Sequence, residues 1–124
     1  MAKVITAMII DDDDDMGIIL TTLLELRKIY CMAVQTLSEA RDCLQKLKPT
    51  VIFLDNSFPE GLGINFIQVI KSADKDIKII MLTGDYSPWI EQKACDEGVD
   101  YFLRKPLNAK KINDVLDAMN FIRK

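Results

Sequence analysis

The 124-residue sequence predicts an α/β protein, a single doubly wound domain (residues 1–124) in which five strand-helix units build a parallel sheet with helices on both faces. Three observations predict it. Apolar runs of strand length alternate strictly with longer amphipathic stretches, and nearly every run stops abruptly at a polar or turn residue. The length suits one hydrophobic core and leaves no room for a second. A composition of 49% hydrophobic and 28% charged residues places the chain among ordinary globular proteins rather than disordered or fibrous ones.

The first run, VITAMII (4–10), is apolar but for Thr6, as suits a strand buried on both faces, and it ends in five aspartates, Asp11 to Asp15. The stretch MGIILTTLLELRKI places Ile19, Leu20, Leu23 and Leu24 at helical spacing, with Asp14 as the expected N-cap and Asp15 favourable in the first turn. A short strand, YCMAVQ, leads to SEARDCLQKLKP, where Ser38 is the expected cap, Ala40, Leu44 and Leu47 share a face, and Pro49 marks the end. TVIFLD repeats the opening pattern and stops at Asp55; the loop NSFPEGLG and a third helix, INFIQVIKS, follow. The fourth strand, IKIIMLTG, ends in Thr83 and Gly84. Ser87 and Pro88 open the next helix and Gly98 closes it. VDYFLRKP is the fifth strand, and Asn108 caps a last helix carrying Ile112, Val115, Leu116 and Met119 on one side.

In parallel sheets of this kind, ligands bind beyond the carboxyl ends of the strands. Asp11, Asp12, Asp55, Thr83 and Lys105 all fall at that edge. Carboxylates 4 Å apart repel by roughly 4 kcal/mol at an effective dielectric of 20, so a cluster of them needs a cation. Three converging carboxylates form the hard oxygen set that Mg2+ prefers beside a phosphate. Lys105 and Thr83 suit phosphoryl oxygens, and Asp55 is the natural nucleophile, since a carboxylate can form an aspartyl phosphate.

Several classes are excluded or disfavoured. The chain has no histidine, which removes Ser-His-Asp catalysis and most zinc chemistry. Cys31, Cys43 and Cys95 show no metal-ligand spacing and read as reduced, packed thiols. A net charge of −3 without a long basic stretch argues against direct nucleic-acid binding. No apolar run approaches the ~20 residues of a membrane span and no signal-peptide pattern opens the sequence, so the expected compartment is the cytoplasm.

Along essentially its whole length the chain resembles the receiver domains of two-component response regulators, the CheY-like superfamily. MIIDDDDD is similar to that family's acidic pair, VIFLDNSFP to its phosphoacceptor strand and loop, IIMLTG to its switch threonine, and FLRKP to its lysine followed by proline. The resemblance implies a flavodoxin-like fold with strand order 2-1-3-4-5. It also implies Mg2+ held by Asp11, Asp12, Asp55 and the backbone carbonyl of Ser57, phosphorylation of Asp55, and phosphoryl contacts from Thr83 and Lys105. Phe102 takes the switch-aromatic position beside Thr83, and the Lys105–Pro106 bond is expected to be cis. The implied function is that of a phosphorelay switch rather than an enzyme, with at most self-phosphorylation and self-dephosphorylation. The implied donor is a sensor histidine kinase or histidine phosphotransfer protein. An effector would bind the face of the fourth helix, fifth strand and fifth helix, around Trp89, Tyr101 and Phe102, and phosphorylation could drive homodimer formation. Trp89 is equally readable as a packing residue. One departure is Leu62, which stands where the family often has an aspartate shortly before Gly63 and leaves the loop's hydrogen bonding and the start of the third helix open.

Three other readings explain less. An EF-hand starting at Asp11 would place Met16 where glycine is needed and Thr22 where glutamate is needed. A haloacid-dehalogenase-like phosphatase would use Asp11 as nucleophile and Asp13 as acid, leaving Asp55 without a role. A flavin binder would need backbone donors where this sequence is anionic.

Overall fold

In the computed structural model, which describes residues 4–85 and 87–121, the apolar runs become a parallel sheet whose central strands are flanked by helices that bury both of their faces. The termini of the expected domain, residues 1–3 and 122–124, lie outside the described residues, as does Tyr86. The elements are β1 (Thr6–Ile10), α1 (Asp14–Glu25), β2 (Tyr30–Val34), α2 (Leu37–Lys46) and β3 (Val51–Asp55). A hairpin of β4 (Ser57–Phe58) and β5 (Gly61–Leu62) and a 3-10 turn (Gly63–Phe66) lead to α3 (Ile67–Ala73). β6 (Lys78–Thr83), α4 (Pro88–Glu97), β7 (Tyr101–Arg104) and α5 (Ala109–Ala118) complete the chain. Among the described residues the main sheet has five strands in the order β2-β1-β3-β6-β7, all parallel. With the hairpin set aside, this is the 2-1-3-4-5 order the resemblance implied.

Strand alternation divides the core into two layers. Met8, Ile10, Ile52, Leu54, Ile79 and Met81 face α2, α3 and α4. Ala7, Ile9, Val51, Phe53, Ile80 and Leu82 face α1 and α5, meeting Leu20, Leu24, Ile112 and Leu116. Each fully buried Leu, Ile or Phe contributes about 1.5–3 kcal/mol, and a one-residue slip would exchange the two layers, so the register is firmly set. Buried Arg27 fastens α1 to α5: its guanidinium donates to the carbonyl of Phe121 and to Asn113 Oδ1 at 2.8 Å, and pairs with Asp117 at 2.9 Å.

Three local expectations change. Asp13, not Asp14, is the N-cap of α1, its carboxylate accepting from the Asp15 N–H at 2.9 Å; the chain turns one residue earlier because the Asp11 side chain already accepts from the Asp13 N–H. Thr36, not Ser38, caps α2, accepting from the Glu39 N–H at 3.0 Å in the threonine-x-x-glutamate arrangement of a capping box. The third helix splits into a 3-10 turn followed by α3, because Leu62 offers no side-chain acceptor. Asn56 substitutes from a distance, its Oδ1 accepting from the Ile64 N–H at 2.9 Å. Gly98 closes α4 at φ +101, a left-handed conformation that glycine adopts without a Cβ clash. The Lys105–Pro106 bond is cis. The cysteines form no disulfide, and Cys95 is exposed on α4 rather than packed.

Candidate functional site

At the carboxyl ends of β1, β3 and β7, the same alternation that buries the α1/α5 layer carries three charged side chains to one point. Asp11 continues Ala7 and Ile9, Asp55 continues Val51 and Phe53, and Lys105 continues Tyr101 and Leu103. The Lys105 Nζ lies 3.2 Å from Asp11 Oδ2 and 3.2 Å from Asp55 Oδ1. Asp11 is 3% exposed and Asp55 5%, so both carboxylates are held largely out of water. One carboxylate oxygen from each of Asp11, Asp12 and Asp55 lies within 4.8 Å of the other two. Asp12 is the exposed member.

Burial sets the electrostatics. The Asp55 carboxyl is raised above the ordinary carboxylate range first by desolvation and then by the charge of Asp11; the Lys105 ammonium offsets only part of this. Asp11 is raised as well, by burial, against the backbone N–H of Asp13 and the same lysine. Burial acts to lower Lys105, yet the two carboxylates together hold it above its usual value. Among the described residues the pocket therefore has one cation, Lys105, for the three carboxylates and is short of positive charge. Its hard, crowded oxygens fit a small divalent cation such as Mg2+, which binds through one or two carboxylates, water and phosphate oxygens.

The remaining aspartates have structural tasks. Asp13 caps α1, Asp14 accepts from the Gln35 side-chain amide, and Asp15 lies in the first turn of α1. A phosphatase that used Asp13 as its acid would have to give up that cap, while Asp11 is already committed to Lys105 and to the loop.

Thr83 is 1% exposed at the end of β6, where its Oγ1 accepts from the Asp85 N–H at 3.0 Å and its carbonyl accepts from the Lys105 N–H at 2.8 Å. Alternation places Thr83 in line with Ile79 and Met81, on the sheet face opposite Asp55. Phe102 packs on that same face, half-buried. Tyr101 points to the α1/α5 layer and Phe102 to the other, since adjacent strand residues face opposite ways, and both are half-buried on β7, the edge strand of the sheet. Trp89 is 55% exposed in the first turn of α4, which favours the surface reading of that residue over packing. Ser57 is exposed at the start of β4, two residues beyond Asp55.

Four residues have a part in this arrangement that the sequence does not assign them. Gly63 lies so close to β3 that an added Cβ would sit 2.0 Å from the Asp55 carbonyl oxygen. Buried Asn56 accepts backbone N–H groups of Gly63 and Ile64 through its carbonyl and side chain, fixing the loop under Asp55. Glu60, at the hairpin turn, accepts from the Leu37 N–H at 2.7 Å and the Ser38 hydroxyl at 2.8 Å, bonds that hold its carboxyl below the usual range and tie the hairpin to α2. Arg104, beside Lys105, reaches across to α4. The threonine-x-x-glutamate signal at Thr36 is readable in the sequence, whereas these four depend on partners outside their own turn that only the fold brings into contact.

Comparison with known proteins bears on this geometry. The model of the response regulator receiver domain family matches residues 7–117. The chain is 29% identical over 117 residues to hybrid signal transduction histidine kinase C of Dictyostelium discoideum, covering 88% of this chain and 10% of that protein. It is 26% identical over 105 residues to the DNA-binding response regulator MtrA of Mycolicibacterium smegmatis, covering 85% of this chain and 46% of that one. The chain thus spans less than half the length of both relatives. Among solved structures, a two-component response regulator from Clostridium difficile superposes with a TM-score of 0.88 at 25% identity, covering 94% of this chain and 95% of that one.

Proposed function

Because the chain belongs to the response regulator receiver domain family, a family of signalling domains, we propose that Asp55 accepts a phosphoryl group from a phosphohistidine of a sensor kinase or histidine phosphotransfer protein. The observation that carries this reading is the pair of 3.2 Å contacts from one ammonium to two buried carboxylates. An Asp55 oxygen attacks phosphorus in line as the bond to the donor's imidazole nitrogen breaks, and the imidazole leaves with the electron pair. Lys105 is already beside the attacking oxygen and can follow the charge onto the phosphoryl group, while the Thr83 hydroxyl supplies a hydrogen bond. Asp11, Asp12, Asp55 and the Ser57 carbonyl would hold Mg2+, which when bound neutralises phosphoryl oxygens and relieves the repulsion among the carboxylates.

Phosphorylation adds about −1.5 to −2 charge, drawing Thr83 and the loop after it toward the site and freeing space for Phe102 to move. The α4/β7/α5 surface then changes for an effector domain or protein, or for a second copy of the chain. Among the described residues no helix is long and apolar enough to cross a membrane, and we assign the domain to the cytoplasm. Its chemistry is limited to its own phosphorylation and dephosphorylation, and it does not itself bind nucleic acid.

Incubation with a small-molecule phosphodonor and Mg2+, followed by mass measurement, tests the reading. One phosphoryl adduct is expected, absent in Asp55→Asn; an adduct that persists in that variant overturns the assignment. Mg2+ at a hundred times its Kd should add about 2.7 kcal/mol of stability, and Asp12→Asn should diminish that gain.

A further inference from the structure

We infer that Arg104 is a latch on the resting conformation of the switch, a positioning residue that acts on the phosphorylation site through the β6–α4 loop. The inference rests on the phosphoacceptor reading of Asp55 and goes beyond it by naming what opposes the transition.

Arg104 is paired in register with Thr83 and is the immediate neighbour of Lys105. Alternation sends these two cations to opposite sheet faces: Lys105 into the carboxylate pocket, Arg104 toward α4. There the guanidinium touches three parts that the proposed switching moves. One nitrogen lies 2.6 Å from Glu91 Oε1 in the first turn of α4. Another donates to the Asp85 carbonyl at 3.4 Å, two residues beyond Thr83. The guanidinium carbon stands 5.3 Å from the centroid of the Phe102 ring, within cation–π range.

Asp85 is in turn fastened to Thr83, its N–H donating to Thr83 Oγ1. If Thr83 shifts toward a phosphoryl group, Asp85 is pulled with it and away from Arg104. An added Cβ on Gly84 would meet nothing within 4 Å, so at this point the loop is not packed against a neighbour. Phe102 cannot change its packing without leaving the guanidinium that covers it. Each contact is modest because Arg104 and Glu91 are partly solvated. All three belong to the resting arrangement, however, and a ligand that favours the other arrangement must overcome them together. A planar fork is needed to stack on the ring and bond to two acceptors at once, which a lysine cannot do.

The chain's single tryptophan, Trp89, lies in the first turn of α4 beside this arrangement and is a built-in reporter. Beryllium fluoride is titrated in the presence of Mg2+ and Trp89 emission is followed in the full chain and in Arg104→Met, Arg104→Lys and Glu91→Gln. Arg104→Met should bind the fluoride complex about three- to thirtyfold more tightly than wild type, the sum expected from one exposed ion pair and one cation–π contact. Glu91→Gln should shift affinity in the same direction by less, and Arg104→Lys should fall between wild type and Arg104→Met. Mg2+ affinity, read from the metal-dependent rise in melting temperature, should be the same in all four proteins. Arg104→Met binding the complex as wild type does, or more weakly, overturns the latch even if its melting temperature falls. Should Arg104→Met fail to fold, the Glu91→Gln shift decides alone. A wild-type chain that takes up no fluoride complex while binding Mg2+ overturns the phosphoacceptor reading and the latch with it.

Discussion

On the α1/α5 side of the sheet, alternation delivers Asp11, Asp55 and Lys105 into a pocket where the carboxylates are buried and ion pairs are 3.2 Å long. On the α4 side it delivers Phe102 and Arg104 to a half-exposed surface next to buried Thr83, held by an ion pair in partial solvent and one ring contact. Backing differs too: Arg27 bolts α1 to α5, whereas Arg104 ties β7 to α4 and to the loop after Thr83 through partly solvated contacts. Breaking a buried ion pair costs about 3–5 kcal/mol, while an exposed pair is worth about 0.2–1 kcal/mol. The first region can hold reacting groups in place; the second lies close enough to balance for a phosphoryl group to tip it. The contrast teaches that one strand period can serve chemistry and switching at once, by assigning them to opposite faces.

The most direct way to break the contrast is to disturb the rigid side at its backbone. Gly63→Ala puts a Cβ against the Asp55 carbonyl with no flexible side chain to give way, so a loss of about 3 kcal/mol in denaturant unfolding is expected, together with loss of Mg2+ binding. Full retention of both would show that the loop under Asp55 is softer than its geometry indicates.

A smaller effect sharpens the role of Lys105. Lys105→Ala leaves two buried carboxylates without their cation and should lower metal-free stability by about 2 kcal/mol, discounted because Lys105 is 23% exposed and the carboxylates can take up protons. Mg2+ should restore most of the loss. A stability loss that metal leaves untouched would make the lysine purely structural.

The smallest effect concerns pH. Asp11 and Asp55 are raised in the folded state, so between the ordinary carboxylate range and their raised values the native protein binds more protons than the unfolded chain. Metal-free stability must then fall as pH rises through that window, the reverse of a carboxylate stabilised by its partners. Asp55→Asn removes part of this penalty and should raise the metal-free melting temperature at neutral pH by roughly 4 °C, about 1 kcal/mol, with a flatter pH profile. A lowered melting temperature would mean that the Lys105 pair outweighs burial and the Asp11 charge.

Much of this was legible in the chain. The runs at 4–10, 50–55 and 77–84 are apolar apart from Thr6, Thr50, Lys78 and their ends, as doubly covered strands require, and the polar residues that stop them marked Asp11, Asp55 and Thr83 in advance. Caps were less legible: Asp13 and Asp14 are chemically the same residue, and the choice between them turned on where the Asp11 carboxylate bonded. The split third helix depended on Asn56 standing in for Leu62, a substitution between residues distant in function though near in space.

By itself the sequence determined the alternation of strands and helices, the edge at which polar residues collect, and the residue types able to hold a cation and a phosphoryl group. These follow from local period and chemical identity, which need no knowledge of neighbours. Only the tertiary structure decided that Lys105 and Arg104 part company across the sheet, that Tyr101 and Phe102 do the same, that Glu60 ties the hairpin to α2, and that Gly63 must be bare beneath Asp55. Each of these depends on which segments pack together and in what register, and that is settled by burying the two apolar layers of the sheet at once.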